Sequence, residues 1–307
     1  MQKWWSVLFG AVNLAALLLF VVAAWTPWGW WLPKDVSTFG YEVDFLYYAI
    51  LYVTGFFFVL TEVLMVYCLW RYTAVPGKRS QYVHGNHRLE WFWTTVTGVI
   101  LVFVAFSQVS AWERIKYQSQ MPGMPDRPAI DHFVTVSARQ FEWRIRYPDT
   151  QERDTLLKDP ARAATVTRLW SEHPNADDLQ VVNDLHVWAA DPPEKSGDPP
   201  RGGNVRVYLM TRDVIHSLGL PNLRLMQDAL PGKNIPVWFQ IKPGEFNTVW
   251  DEEKQDWVDK ENWPIACKEL CGWGHYKMQG RLRVHKDKAD YDKWLAAARK
   301  EQDRSTP

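Results

Sequence analysis

The chain has 307 residues, with 35 Lys and Arg against 35 Asp and Glu, and a mean hydropathy of −0.30. This average conceals an asymmetry, because charged residues are almost missing from residues 4–33, 45–70 and 91–112. A helix needs ~20 apolar residues to cross a bilayer, so each stretch is long enough to span a membrane. The composition excludes a purely soluble protein and a polytopic transporter. The neutral balance of charges gives no support to nucleic-acid binding, which requires a basic domain.

The charges of the loops predict which side of the membrane the rest of the chain occupies. The loop at residues 71–90 holds four basic residues against one acid, Glu90, whereas the loop at residues 34–44 holds three acids against one lysine. Loops rich in Lys and Arg stay in the cytoplasm. Everything after Trp112 is therefore expected on the outer side.

The N-terminal hydrophobic segment, residues 1–33, allows two interpretations. One charge, Lys3, precedes an apolar run that ends near Ala23 and Ala24, which is compatible with a cleaved signal peptide. The run continues through several tryptophans and is longer and more aromatic than a usual signal, which favours a retained signal-anchor helix. Because the segment does not resemble an Arg-rich transit peptide, a bacterial inner membrane with the domain on its periplasmic side is predicted.

The outer domain, residues 128–286, has the pattern of an all-β fold. Turn residues separate its strand-like segments, which are 132–148, 179–188, 204–213, 235–250 and 280–285. This pattern predicts an antiparallel β-sandwich or barrel. Residues 151–173 and 190–203 are interpreted as surface insertions.

The C-terminal segment, residues 287–307, differs from the strands before it. It is rich in helix formers and carries a stripe of Tyr291, Trp294 and Leu295. We expect a terminal helix packed on the sandwich, followed by a short tail. Residues 161–171 allow one further short helix.

One cluster carries metal-binding chemistry. The segment CKELCGWGHYKM places Cys267, Cys271, His275 and Met278 within twelve residues. Thiolates, an imidazole and a thioether are soft ligands, and they suit copper better than magnesium or calcium. A single blue copper needs one cysteine, so two cysteines indicate two metals that share the sulfurs. His216, in TRDVIHSLGLPN, offers a second imidazole.

Two other interpretations of the cysteines stay open. Two cysteines outside the cytoplasm usually form a disulfide. Zinc is compatible with two cysteines and two histidines, although structural zinc sites favour shorter cysteine spacings and have no use for a thioether. The register of His275 and Met278 with both cysteines favours copper.

The cluster CKELCGWGH..M, together with DVIHS before it and the QDALPG segment, resembles cytochrome c oxidase subunit II. This is the subunit of haem–copper oxidases that carries the binuclear copper centre called CuA. The resemblance extends from about Phe45 to the C-terminal helix and implies a cupredoxin-like domain behind a transmembrane hairpin, residues 45–112. It implies two coppers bridged by both thiolates, with the ligands His216, Cys267, Cys271, His275, Met278 and the backbone carbonyl of Glu269.

The resemblance also implies roles for acidic residues outside the copper ligands. The Glu269 side chain would point toward a magnesium shared with the catalytic subunit, and Asp228 would lie near that ion. Glu90 would stand at the mouth of a proton pathway into the catalytic subunit. An interfacial charge at a helix start is the plain alternative for Glu90. Glu62, inside a membrane helix, has no assigned role, although a carboxylate there is costly and usually partnered.

Two positions depart from the family's usual pattern. Electron entry is expected at Phe141 and Trp143. The family commonly has Trp at both of these positions, so Phe141 is the departure. Met226 stands where the family often has Lys. Both departures put the details of donor docking in doubt. The acidic run at residues 251–261 is interpreted either as a docking patch for a basic cytochrome or as a solvated loop.

The resemblance implies an electron-transfer subunit without turnover of its own. It would pass electrons from a c-type cytochrome to the haem of subunit I, which reduces oxygen to water with proton pumping. No Cys-x-x-Cys-His occurs, so no covalent haem is expected on this chain. Cys68, in a membrane helix, is interpreted as inert packing. The hairpin is expected to pack against other oxidase subunits in the lipid bilayer, and the chain alone is expected to be unstable.

Four other functions are alternatives to that of an oxidase electron-transfer subunit. The same copper subunit serves some nitric oxide reductases, and only the partner would distinguish them. Nitrous oxide reductase carries such a centre on a soluble catalytic domain that this sequence does not have. A quinol oxidase subunit would have lost the copper ligands. A membrane-anchored copper chaperone would bind copper singly and would leave the Glu90 motif without a purpose.

Overall fold

The structure is a computed structural model and describes residues 2–25, 31–79, 82, 84–148 and 178–305. The chain divides into two compact units. The first comprises residues 1–33 and 42–111, and the second comprises residues 34–41 and 112–307. The expected insertion at residues 151–173, with its possible helix at 161–171, lies outside the described residues.

The first unit is helical. Its elements are α1 (Gln2–Trp25), α2 (Gly40–Arg71), α3 (His87–Ser107) and, continuing into the second unit, α4 (Val109–Lys116). Among the described residues, three helices are long and apolar enough to cross a membrane, at Lys3–Ala23, Gly40–Arg71 and His87–Lys116. The Asn86 side chain caps α3 by accepting hydrogen bonds from the backbone N–H groups of Arg88 and Leu89.

Glu62 lies beside an apolar cavity of about 250 Å³ that is lined by α1 and α2. Asn13 of α1 is the other polar residue in the lining. The Oε2 atom of Glu62 is buried and has no hydrogen-bond partner among the described residues. The structure thus gives this carboxyl group a location but no function.

The second unit is built from strands, in chain order β1 (His132–Arg139), β2 (Glu142–Tyr147), β3 (Leu179–Val182), β4 (Asp184–Trp188), β5 (Asn204–Thr211), β6 (His216–Leu220), β7 (Leu225–Ala229), β8 (Ile235–Gln240), β9 (Thr248–Asp251), β10 (Asp256–Asp259), β11 (Pro264–Cys267) and β12 (Gln279–His285). Within the described residues they form two five-stranded sheets, ordered β3-β2-β1-β5-β8 and β4-β12-β11-β6-β7, and a hairpin of β9 and β10. The sheets enclose the apolar core.

The sheets are mixed, whereas the sequence predicted antiparallel ones. β1 pairs in parallel with β5, and β4 pairs in parallel with β12. The prediction is wrong for these two pairs because the paired strands are distant in the chain, and the connections between them pass through the opposite sheet. Strands that are close in sequence, such as β1 with β2 and β6 with β7, do pair antiparallel.

Asn183 divides one expected strand into two. It has a positive φ of 61°, a conformation that asparagine tolerates better than most residues, and it turns the chain from β3 in one sheet to β4 in the other. Its side-chain oxygen accepts a hydrogen bond from the Trp143 N–H, and its own N–H donates to the Trp143 carbonyl. Its carbonyl accepts from the Arg281 N–H, so this one residue joins both sheets.

The terminal helix α5 (Lys288–Ser305) covers one end of the sandwich. The predicted stripe of Tyr291, Trp294 and Leu295 is buried. The Trp294 ring stacks on His186, with ring centroids 3.7 Å apart. The fold class expected from the sequence is therefore confirmed: membrane helices, a cupredoxin-like β-sandwich and a C-terminal helix.

Candidate metal centre

Two neighbouring strands and one loop bring the candidate ligands together. His216 begins β6 and Cys267 ends β11, and these strands are adjacent and antiparallel. Cys271 and His275 lie in the loop between β11 and β12. The loop closes where the Cys267 N–H donates to the carbonyl of Met278, just before β12. Residues separated by 51 positions in the sequence thus meet at one end of the sandwich.

The distances between the side chains fit a shared metal centre. The Sγ atom of Cys267 lies 3.8 Å from Nδ1 of His216 and 3.9 Å from Sγ of Cys271. The Sγ atom of Cys271 lies 3.5 Å from Nδ1 of His275 and 3.8 Å from Sδ of Met278. Atoms bound to one metal at about 2.0–2.3 Å stand roughly 3–4 Å from each other. Both cysteines are free, so the disulfide interpretation finds no support here.

The burial of the site fits a centre shielded from water. His216 and Met278 are fully buried, both cysteines are nearly so, and His275 is partly exposed. Burial and the neighbouring thiol of Cys267 raise the pKa of Cys271 to about 11. The Cys271 thiol therefore stays protonated unless a cation is present, and a bound metal reverses this preference.

The Glu269 backbone faces the sulfur cluster, while its side chain is exposed. The carbonyl oxygen of Glu269 lies 3.2 Å from Sγ of Cys267. This is the orientation that a carbonyl donor to the centre needs.

Asp213 orients His216. Its Oδ1 atom lies 2.8 Å from Nε2 of His216, which leaves Nδ1 facing Cys267. Burial alone would raise the pKa of Asp213, but hydrogen bonds from Gln140, His216 and Val214 outweigh it and lower that pKa. A carboxylate behind a metal-binding histidine sets the tautomer and the ring orientation. The sequence motif DVIHS contains this aspartate, and its Asp-x-x-His spacing is a signal from which the role could have been predicted.

The two aromatic residues expected at electron entry are separated in the structure. Phe141 packs on the ligand loop, where a Cβ added to Gly274 would lie 2.5 Å from its ring. Gln140, the preceding residue, donates from Nε2 to the Cys271 carbonyl at 2.6 Å. Trp143 is fully buried, with its ring centroid 6.3 Å from that of His216, so a donor protein cannot contact it at the surface.

A lysine from another element stands beside Met226. The Nζ atom of Lys116 donates to the Met226 carbonyl at 2.7 Å and to the side-chain oxygen of Gln227 at 3.1 Å. A cation from α4 thus stands beside position 226, where the sequence itself has methionine. The sequence could not indicate this because the two residues are 110 positions apart.

The acidic run lies away from the metal cluster. The hairpin of β9 and β10 packs against β12, where the Trp257 ring contacts the His285 ring with centroids 4.6 Å apart. His285 ends β12, whereas Met278 immediately precedes it, and a seven-residue strand is about 20 Å long. The tip of the hairpin, residues 251–256, is therefore remote from the ligand loop.

Glu90 lies in the first turn of α3, in the membrane unit. Its side chain is exposed and lies 3.1 Å from Nδ1 of His87. A carboxylate near a helix N-terminus is favoured by the helix dipole, so the plain structural interpretation of Glu90 also fits. Its role in proton entry stays a prediction.

Known proteins resemble the chain along most of its length. A family profile described as the transmembrane domain of cytochrome c oxidase subunit II matches residues 25–110. The alternative cytochrome c oxidase subunit 2 of Bradyrhizobium diazoefficiens is 26% identical over 295 residues, covering 93% of this chain and 91% of the relative. The cytochrome c oxidase subunit 2 of Thermostichus vulcanus is 25% identical over 275 residues, covering 86% of this chain and 77% of the relative. The crystal structure of the periplasmic domain of cytochrome oxidase subunit II of Bradyrhizobium japonicum aligns with 57% of this chain and 97% of its own, at 19% identity and a TM-score of 0.35.

Proposed function

Because the chain is similar to cytochrome c oxidase subunit II along most of its length, we propose that it belongs to this family and is the electron-input subunit of a haem–copper oxidase. It accepts electrons from a c-type cytochrome and delivers them to the haem of subunit I, where oxygen is reduced and protons are pumped. The observation that carries the proposal is the buried cluster of His216, Cys267 and Cys271, whose ligand atoms lie within 4.8 Å of one another.

The donor set fits a pair of copper ions. His216, Cys267, Cys271, His275, Met278 and the carbonyl of Glu269 would hold the two ions. The bound pair would supply one-electron redox chemistry. The chain's own contribution is rigidity, because strands β6, β11 and β12 hold the ligands and Asp213 orients His216.

Two acidic sites would serve the partner subunit. The exposed carboxylates of Glu269 and Asp228 would face a magnesium ion shared with subunit I. Asp228 pairs with Ser217, the residue after His216, so it lies one strand away from a copper ligand. Glu90 would admit protons on the cytoplasmic side. The copper domain would stand on the periplasmic side of a bacterial inner membrane, as the basic loop at residues 71–90 predicts.

The test is a copper count on the purified oxidase that contains the full chain. We expect two coppers beyond those of the partner subunits, both lost in Cys267→Ser, and an electron paramagnetic resonance signal of one electron split by two copper nuclei. Cys68→Ser is the matched control and should keep both coppers, because Cys68 lies in α2. One copper with an ordinary spectrum, or a disulfide between Cys267 and Cys271, would instead favour a chaperone. Reduction of nitric oxide without oxygen reduction would favour the nitric oxide reductase alternative.

A further inference from the structure

The ligand loop carries an exposed tryptophan between two metal ligands. Trp273 lies two residues after Cys271 and two before His275, and its side chain is 79% exposed. Burying a tryptophan is strongly favourable, so a protein gains nothing in its own stability by leaving one in water. Large exposed aromatic side chains at a functional site are typical of a contact surface.

This tryptophan is connected to the metal cluster in two ways. Only Gly272 separates it from Cys271 along the chain. Its ring also meets Phe141 edge to face, with centroids 5.2 Å apart and planes at 68°. The ring of Phe141 in turn lies against the backbone at Gly274, just before His275. The indole is therefore the outer end of a packed aromatic path to the ligand loop.

The exposed side of the cluster is the loop from Cys271 to His275, where His275 is the partly exposed ligand. His216 and Met278 are fully buried, and so is Trp143 behind them. The acidic hairpin stands at the far end of β12. Electron-transfer rates fall steeply with distance, so a donor gains most by docking on the loop from Cys271 to His275.

A basic side chain lies next to Trp273. The Nζ atom of Lys277 lies 5.8 Å from the centroid of the Trp273 ring and 5.5 Å from that of Tyr276. A partner with acidic groups around its cofactor edge complements this arrangement better than a basic one.

We propose that Trp273 is the contact at which the electron donor rests its exposed cofactor edge, and that Lys277 favours a donor with an acidic rim. This inference rests on the proposed function. The transfer moves one electron and no atoms: the donor's cofactor is oxidised by one electron and the centre held by Cys267 and Cys271 is reduced by one. Trp273 starts and ends neutral and serves as a positioning residue.

The experiment compares Trp273→Ala with Trp250→Ala in the purified oxidase. Trp250 is the matched control because it is also exposed but lies in the acidic hairpin on β9. Two readouts are taken for an acidic and a basic c-type cytochrome: the second-order rate constant of electron delivery, and the affinity of the redox-inert zinc-substituted cytochrome. Loss of a central tryptophan is expected to lower both for the acidic donor by roughly tenfold or more, with Trp250→Ala nearly unchanged.

Charge reversal tests the second half of the proposal. In Lys277→Glu, the acidic cytochrome should deliver electrons more slowly and lose the decline of its rate with salt, and the basic cytochrome should gain. A preference of the unaltered oxidase for the basic cytochrome, unaffected by Lys277→Glu, would overturn the charge assignment.

Damage to the centre is distinguished by its spectrum and by a small reductant. Each variant should keep the two-copper resonance signal and the reduction rate with dithionite, and Trp273→Leu preserves bulk if the alanine variant loses copper. Unchanged donor binding and delivery in a Trp273 variant with an intact signal would overturn this inference and leave the proposed function standing. Absence of the two-copper signal in the unaltered chain would instead overturn the proposed function.

Discussion

At the scale of single residues, the ligand loop depends on two glycines that leave room for neighbouring side chains. Gly272 and Gly274 leave room for the amide of Gln140 and the ring of Phe141. A Cβ at Gly272 would lie within 3 Å of the Gln140 amide, and a Cβ at Gly274 would lie within 3 Å of the Phe141 ring. Gly272 also has a φ of 132°, which only glycine adopts readily. The Cys-Gly-Trp-Gly-His sequence is thus shaped by the close approach of Phe141, and the loop and this aromatic residue act as one unit.

We expect Gly274→Ala to displace the ligand loop or the Phe141 ring. The added methyl group would lie 2.5 Å from the ring, which is too close. Relieving this overpacking lowers the stability by about 1–3 kcal/mol. The measurement is copper occupancy together with the midpoint potential of the centre. The double variant Gly274→Ala with Phe141→Ala should recover copper, because the clashing ring is gone. Equal damage in the single and double variants would show that Phe141 is not the obstacle.

Asp213→Asn is expected to weaken copper retention by roughly 10–100-fold, as loss of a carboxylate behind a metal-bound histidine does elsewhere. The physical reason is that the carboxylate at 2.8 Å holds Nε2 of His216 and so aims Nδ1 at the cluster. Competition with a copper chelator measures the change. Asp256→Asn, in the remote hairpin, is the control and should retain copper as the unaltered chain does. Equal retention in both variants would remove Asp213 from this role.

At the scale of elements, α5 covers a buried histidine pair. Nδ1 of His186 lies 2.9 Å from Nε2 of His285, and both rings lie near Trp294. Burial lowers the pKa of both histidines; that of His285 falls to about 2, with His186 and Arg283 contributing in the same direction. Asp184, 3.8 Å from Nε2 of His186, opposes the effect without reversing it. The pair is therefore neutral in the folded domain.

The outer domain should lose stability as the pH falls below about 6.5, the ordinary pKa of histidine. Between that value and the lowered pKa of the folded state, the unfolded chain binds more protons, so acid favours unfolding by at most ~1.4 kcal/mol per pH unit for each histidine. Denaturation of the purified oxidase that contains the full chain, followed by near-ultraviolet circular dichroism from pH 7.5 to 5, measures this. His285→Gln should flatten the slope, whereas His84→Gln, in the exposed segment before α3, should not. An identical slope in all three proteins would refute the assignment.

At the scale of the whole molecule, the membrane unit is incomplete on its own. Many large apolar side chains of α2 and α3 are exposed, including Phe56, Phe103 and Phe106. Lipid can cover such faces, but Glu62 adds a carboxyl group inside α2 that a bilayer tolerates poorly. A large haem-bearing neighbour would cover these faces better than lipid alone.

We therefore expect the full-length chain, expressed without other oxidase subunits, to give lower yield and a polydisperse species in mild detergent. Coexpression with the other subunits should restore a single species of the complex, because their helices cover the hairpin. Size-exclusion chromatography with light scattering measures both. Equal yield and monodispersity of the chain alone would contradict the prediction.

The sequence by itself determined what depends on neighbouring residues. The apolar stretches indicated the membrane helices, since crossing a bilayer requires only length and composition. The spacing of Cys267, Cys271, His275 and Met278 indicated the ligand loop, since one loop can place them together, and His216 followed as the further imidazole. The stripe on α5 was visible because helical periodicity is local.

The tertiary structure alone decided what depends on residues that are distant in the chain. The parallel pairing of β1 with β5 and the arrival of Lys116 beside Met226 have no local signal. The same holds for the histidine pair under α5. Trp143 and Trp273 are both aromatic residues near the ligand motifs in the sequence, yet Trp143 is buried behind His216 and Trp273 is exposed to solvent. Which side chains meet, and which reach the surface, follows from how the sheets pack, and packing is a property of the whole chain.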